Sequence, residues 1–210
     1  MKKKITILML LSIVMMTSCI NPYVSGVYNL ELKEVERPKN AEERYGDYKV
    51  VNLNKEGVNK YSYEDKLIRI VWTPESKQFY FRLENKSDHS IKIIWDEAVY
   101  VDVVGRSGRV MHTGVKYSEM NNAQPSTVVA RNTSITDIII PTKNIRYESG
   151  QHGGWITDPL FVNIAKDKEK LDYVSKLFIG RTVKIVLPIQ IQETVNEYIF
   201  SFNIESFKSK

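Results

Sequence analysis

From Leu67 onward apolar residues recur at every second position, the spacing that sends alternate side chains to opposite faces of an extended strand. Phe79, Phe81 and Leu83 alternate with Tyr80, Arg82 and Glu84, and Ile91, Ile93 and Trp95 alternate with Lys92, Ile94 and Asp96. Val99, Val101 and Val103 alternate with Tyr100 and Asp102, and Val183, Ile185, Leu187 and Ile189 with Thr182 and Lys184. The clearest run is the last, Tyr198, Phe200, Phe202 and Ile204 against Ile199, Ser201 and Asn203. Each run has one apolar face. Turn residues punctuate them: Asn85-Lys86-Ser87-Asp88 after the first run, Gly105-Arg106-Ser107-Gly108 after Val104, and Glu193-Thr194-Val195-Asn196 between the last two. These predict antiparallel hairpins.

Seven or eight short strands in residues 67–210, without helices alternating between them, predict an all-β domain built as an antiparallel sandwich. An immunoglobulin-like Greek key is the preferred version, with Trp95 where such sandwiches often bury a tryptophan. One short inserted helix interrupts the pattern. Ile164, Leu171, Val174 and Phe178 fall near helical spacing among Lys166, Asp167, Lys168, Glu169, Lys170 and Lys176, and Gly180 follows as a stop. It is expected to cap the open end of the sandwich, with an interaction surface as the alternative. Before residue 67 the chain is charged and poor in aliphatic residues, most of all from Arg37 to Arg44. Residues 19–66 are therefore expected to be a tether, to which Val27 to Leu32 and Tyr48 to Leu53 add short strands.

The first residues carry a different signal. Lys2, Lys3 and Lys4 precede an apolar run from Ile5 to Met16, and the small polar pair Thr17-Ser18 leads to Cys19. This is the three-part layout of a secretory signal peptide, over residues 1–18. The run is too short to cross a bilayer, which needs about 20 apolar residues. Cys19 is the only cysteine in 210 residues, so the fold has no internal disulfide or multi-thiolate metal site and must be held by its core. A chain of that length buries enough surface to need no staple. The net charge of +5 includes the three leading lysines, and without them 27 basic residues face 25 acidic ones. That balance gives no support to nucleic-acid binding, which needs basic residues clustered on one face.

Met16-Thr17-Ser18-Cys19 resembles the lipobox of bacterial lipoproteins, with Met16 where the family more often has Leu. The resemblance implies that the Cys19 thiol takes a diacylglycerol as a thioether and that cleavage before Cys19 follows, which anchors the mature chain to a membrane. Asp after the cysteine favours inner-membrane retention in Gram-negative lipoproteins. Ile20 stands there, which implies the outer membrane, and Ile20-Asn21-Pro22-Tyr23 lacks the acidic run that marks surface export, which implies a periplasm-facing orientation.

Candidate chemistry is sparse. His89, His112 and His152 share no helical or hairpin spacing, so no metal site is predicted, and no pattern implies a cofactor. Gly105-Arg106-Ser107-Gly108-Arg109 misses the G-x-S-x-G nucleophile elbow at its last position and reads as a hairpin tip. Asp96-Glu97 are strand neighbours that point to opposite faces, and they read as a break between strands rather than a glycosidase pair. Trp72, Trp95 and Trp155 are each expected in the core, with glycan binding through an exposed tryptophan as the alternative. The loop Ser149 to Trp155, with His152, Gly153, Gly154 and Trp155 at its end, is the candidate ligand loop, because its backbone amides could approach an anion. Flexibility alone also explains its glycines.

The segment from Phe79 to Pro141, with Asn85 before a strand, Trp95 at its end, the Gly105 turn, Arg109-Val110-Met111-His112 and the Ile138 to Pro141 strand end, looks like uncharacterised bacterial envelope lipoproteins with an immunoglobulin-like sandwich. The resemblance carries over no catalytic residue. It implies a non-catalytic binding or assembly module whose partner is another envelope protein or a glycan. The alternative is a glycan or peptide hydrolase of the envelope with a site gathered from loops.

Overall fold

A computed structural model describes residues 23–54 and 58–210. The expected signal peptide over residues 1–18 and the expected lipid attachment at Cys19 lie outside the described residues. Fifteen strands are described: β1 (Val24–Glu36), β2 (Lys49–Asn52), β3 (Tyr61–Glu64), β4 (Ile68–Pro74), β5 (Phe79–Asn85), β6 (Ile91–Ile93), β7 (Val99–Val101), β8 (Ser107–Met111), β9 (Thr127–Val129), β10 (Ser134–Pro141), β11 (Ile145–Glu148), β12 (Gly154–Thr157), β13 (Ile164–Ala165), β14 (Thr182–Ile191) and β15 (Thr194–Ser209). Two helices accompany them, α1 (Ala41–Tyr45) and α2 (Lys168–Lys176). Every strand pair is antiparallel, so the fold is all-β, as its alternating pattern predicts.

The main sheet runs in the order β13-β1-β15-β14-β7-β8-β10-β5-β4-β3-β2, with β6 and β9 continuing from the far end of β14. It curls. Only Ile140↔Met111 and Pro141↔Val110 join β10 to β8, and there one half of the sheet turns to face the other. Rings from both halves meet in between. Trp72 of β4 packs on Phe200 and Phe202 of β15, Phe79 on Phe202, and Tyr63 on Tyr198. The alternating residues of β5, β14 and β15 supply this core: Phe79, Phe81, Leu83, Val183, Ile185, Leu187, Ile189, Tyr198, Phe200, Phe202 and Ile204 are all fully buried. Burying side chains of this size stabilises by about 1.5–3 kcal/mol each before chain entropy is counted.

Four expectations change. Asn85 to Asp88 does not close a hairpin, because β5 pairs with β4 and β10 while β6 pairs with β14 and β9 in the opposite half. The buried Asn85 amide holds the crossing, donating to the carbonyls of His89, Val129 and Ala130. On β7 the buried residue is Tyr100, not Val99 or Val101, since its ring packs against Phe79 and under Lys143. The segment expected to be a tether supplies β1, β2 and β3 to the sheet and side chains to its core: β1 pairs with β15 from Gly26 to Glu36, and Leu30, Leu32, Val35, Tyr61 and Tyr63 are buried. The division expected at residue 67 thus falls inside the β3–β4 hairpin. Ile164 leaves the helix for β13 and is exposed, so α2 begins at Lys168, capped by Asp167, which accepts from the Lys170 N–H.

Gly105 to Gly108 lies in the β7–β8 hairpin as expected. The last hairpin forms too, but it turns at Gln192-Glu193, where Gln192 takes a positive φ, and Thr194, Val195 and Asn196, expected in the turn, pair with β14 as the start of β15. Asp96 and Glu97 sit in a 3-10 turn between β6 and β7.

Candidate functional site

Strands β11 and β12 form a two-stranded ribbon apart from the main sheet, with Tyr147 directly opposite Trp155. Its loop closes where the Gly153 N–H donates to the Gly150 carbonyl, so that amide is engaged within the loop. Only glycine fits at 153, because a Cβ there would stand 2.2 Å from the Glu148 carbonyl oxygen. Gly153→Ala should therefore open the ribbon tip, raising amide exchange at Tyr147 and Trp155 by about tenfold or more. Global stability should move by less than about 1 kcal/mol, since the ribbon pairs only with itself. A global loss above that, read in urea titrations, would contradict this local account.

The base of the ribbon is held firmly. Asp158 N–H donates to the Asn144 carbonyl, Asn144 Nδ2 donates to the Pro159 carbonyl, and Arg146 bridges Asp158 and Glu148. Ile145 packs with Met111 and Ile140 in a small second core, which Tyr117 and Met120 border.

On this base three aromatic rings gather. Tyr147 is 62% exposed and Trp155 41%, and their rings meet edge to face with centroids 5.4 Å apart. Tyr117, from the 3-10 turn Tyr117–Glu119, also meets Trp155, with ring centroids 6.0 Å apart, and its hydroxyl accepts from Thr157 Oγ1. Beside them runs an open groove of about 450 Å³ lined by Lys77, Gln78, Tyr117, Ile140, Trp155 and Thr157. Trp72 and Trp95 are in the core as expected, but Trp155 is a surface platform, held out by a ribbon that no second layer covers. Exposed rings beside amide, ammonium and hydroxyl groups suit a ligand with an apolar face and polar edges. The sequence pointed to Trp155 through its glycine loop but not to Tyr147 or Tyr117. Tyr147 was legible as the residue facing Trp155 across that loop, whereas Tyr117 comes from a distant turn that no local pattern connects to it.

His152 is exposed at the ribbon tip and His89 lies exposed beside Asp88. His112 is buried. Its ring stacks on Trp95 with centroids 4.1 Å apart, and Nδ1 lies 3.2 Å from Asp137 Oδ2. Burial pushes the Asp137 carboxyl up, but hydrogen bonds from His112 and from the Thr113 and Ile138 N–H groups outweigh it and hold the carboxyl below its ordinary value. Histidine and carboxylate are thus in contact, as a hydrolase needs, but under the surface, and among the described residues no hydroxyl hydrogen-bonds to His112 Nε2.

Ser107 is exposed at the start of β8, next to the turn that Asp102 staples by accepting from Val104 N–H, Arg106 N–H and Lys143 Nζ. Asp96 is engaged by Arg109 and the Gln124 N–H, which explains a strand break without catalysis. A second groove of about 450 Å³ crosses the outer face of β4, β5 and β10, lined by Lys60, Arg69, Thr73, Tyr80, Arg82 and Thr136. Among the described residues no three His, Cys, Asp or Glu side chains converge to hold a metal ion. A scan against protein-family models, a search of curated proteins and a search of solved structures each gave no match.

Proposed function

We propose that the chain is a cell-envelope lipoprotein, acylated at Cys19, that works as a non-catalytic binding module and takes a glycan on the Tyr147–Trp155 ribbon. The observation that carries the binding role is the exposed aromatic cluster on a braced ribbon beside a polar groove. Aromatic faces match the C–H faces of sugar rings, and Lys77, Gln78 and Thr157 supply partners for hydroxyls. The anchor rests on the lipobox-like Met16 to Cys19, and Ile20 after the cysteine favours the outer membrane with the domain facing the periplasm. Among the described residues no helix is long and apolar enough to cross a membrane, which agrees with attachment by lipid.

The immunoglobulin-like reading of the sheet has support in its connectivity. Consecutive strands β5 and β6 lie in opposite halves, β10 returns to pair with β5, β14 returns to pair with β6, and β15 follows β14. These pairings are consistent with the B, C, E, F and G strands of such sandwiches, and Trp95 is buried just after β6, the strand that would take the place of C.

Two measurements test the proposal together. Cys19→Ala should abolish labelling by a fatty-acid analogue, and labelling that persists removes the anchor. Binding of purified protein to envelope glycan fragments, followed by titration calorimetry, should weaken by about tenfold or more in Trp155→Ala. Equal binding by that variant and by Tyr147→Ala would remove the ribbon as the site. The hydrolase reading has the His112–Asp137 contact in its favour. Release of cleaved glycan or peptide that His112→Ala abolishes would put that reading in place of the binding module.

A further inference from the structure

Five residues lead from Cys19 to Val24, where β1 begins, a reach of at most about 18 Å. That corner of the fold carries an unusual surface. Val24 and Ser25 pair with Ala165 and Ile164 of β13, and the Lys210 N–H donates to the Ser25 carbonyl. Helix α2 lies against β13, β1 and β15, burying Leu171 and Ser175, while Phe178 just beyond it meets the ring of Tyr28 on β1.

The opposite side of α2 sets apolar residues among its exposed charges Lys168, Glu169, Lys170 and Lys176. Tyr173 is 66% exposed and Leu177, four residues on, is 51% exposed, so the two are neighbours on one stripe. Ile164 of β13, the strand against which α2 lies, and Ile179 just beyond the helix are exposed as well. Lys170 and Lys176 flank Tyr173 three residues away on either side, and Lys166 and Arg181 bracket the segment. Of the three acids in this stretch, Asp167 caps the helix and Asp172 is paired with Lys168, which leaves exposed Glu169 against Lys166, Lys170, Lys176 and Arg181. A tyrosine and aliphatic residues rimmed by lysines form the composition of a helix that rests in a membrane interface, with its rings at headgroup depth and its ammonium groups on lipid phosphates.

We infer that this face lies on an anionic bilayer surface, with Tyr173, Leu177 and Ile164 in the headgroup layer and Lys166, Lys170 and Lys176 against phosphate. The inference rests on acylation at Cys19, which brings the lipid within about 18 Å of β1. It goes beyond anchoring, because lipid plus a docked face fixes how the domain stands on the membrane, whereas lipid alone would leave it to swing.

The single cysteine makes a direct test possible. Once Cys19 is acylated, a fluorophore can be attached to one introduced cysteine, at Tyr173→Cys, Leu177→Cys or, as a control on another surface, Val128→Cys. The full protein, taken from membranes, is placed in vesicles of phosphatidylethanolamine with phosphatidylglycerol that contain a headgroup-level quencher. Quenching at 173 and 177 should exceed the control by roughly threefold or more, and Lys170→Glu with Lys176→Glu should bring it down to the control. Vesicle-bound protein with equal quenching at all three sites would overturn the docked face and leave the anchor standing. Protein that stays out of the vesicles removes both. Labels at 173 shielded only as protein concentration rises, with or without vesicles, would give the face to a second copy and overturn the inference.

Discussion

Replacing Asn85 with aspartate should lower the free energy of unfolding by about 4 kcal/mol at pH 7, more than the roughly 3 kcal/mol expected for Asn85→Ala. Asn85 is fully buried where β5 ends and the chain crosses to the other half of the sheet. Its Nδ2 donates to the carbonyls of His89, Val129 and Ala130, at 2.7, 3.1 and 3.1 Å. Its Oδ1 accepts from Ser87 N–H and Ser87 Oγ. Alanine removes all five bonds. Aspartate keeps the two that Ser87 gives but turns a second oxygen, and a charge, toward three carbonyls. That environment raises the folded-state pKa of the new carboxyl, so its penalty is smallest below the unfolded carboxylate value of about 3.9 and grows as pH rises through the folded value. The ranking should therefore reverse: near pH 3 aspartate is the milder substitution, and at pH 7 the harsher. Urea unfolding of both variants and the parent at the two pH values measures this, and losses within about 1 kcal/mol for both would show that Asn85 does not hold the crossing.

The same residue shows where sequence reasoning reached its limit. A polar run such as Asn85 to Asp88 signals a reversal whether the next strand returns beside the first or crosses to the other layer. The deciding contacts lie at Val129 and Ala130, far along the chain, and no local pattern contains them. Runs long enough to show several periods were read in the correct phase, and β5, β14 and β15 bury the residues their alternation named. Strand β7 has three residues, too few for periodicity to choose between Val99 with Val101 and Tyr100. In β1 the period is broken: Leu30, Leu32 and Val35 face the core because register shifts after Asn29 and Leu32 displace the phase. A segment so charged looked like a tether, although its buried residues Leu30, Leu32 and Val35 stand opposite Ile204, Phe202 and Phe200 of β15.

The candidate site divides along similar lines. Its glycines report a backbone constraint that is local, and the 2.2 Å approach at Gly153 is its cause. Exposure of Trp155 is not local. It follows from the ribbon standing outside the layers, and the third ring arrives from a turn near residue 117. Similarly, the contact of His112 with Asp137 joins β10 to the residue after β8, a pairing that depends on how the sheet curls.

Asp65→Ala should be as damaging as any substitution in the chain, lowering the free energy of unfolding by about 3–5 kcal/mol. Asp65 sits in the tight connection between β3 and β4, and it is 3% exposed. One carboxylate oxygen accepts from the Leu67 and Ile68 N–H groups, each at 2.8 Å. The other accepts from Tyr63 Oη at 2.9 Å and from Tyr198 Oη at 3.3 Å, so a single side chain ties the β3–β4 turn to β15 in the facing half of the sheet. Burial and then the Asp65 charge push both phenols well above the ordinary tyrosine value, which keeps them protonated and able to donate. Lys86 completes the knot, donating to the Asp65 carbonyl and to Glu64. Alanine leaves two turn amides and two fully buried hydroxyls without their acceptor. Asp65→Asn keeps one oxygen for the turn, and each hydroxyl can rotate to accept from the new amide, so its loss should be only about 1–2 kcal/mol. Tyr198→Phe removes one donor and should also cost about 1 kcal/mol. If the knot joins the two halves, Asp65→Ala in the Tyr198→Phe background should do less further harm than in the parent, by about 1 kcal/mol or more. Additive losses in that double-mutant cycle would mean that Asp65 holds only its own turn, and that facing aromatic rings alone keep the curled sheet closed.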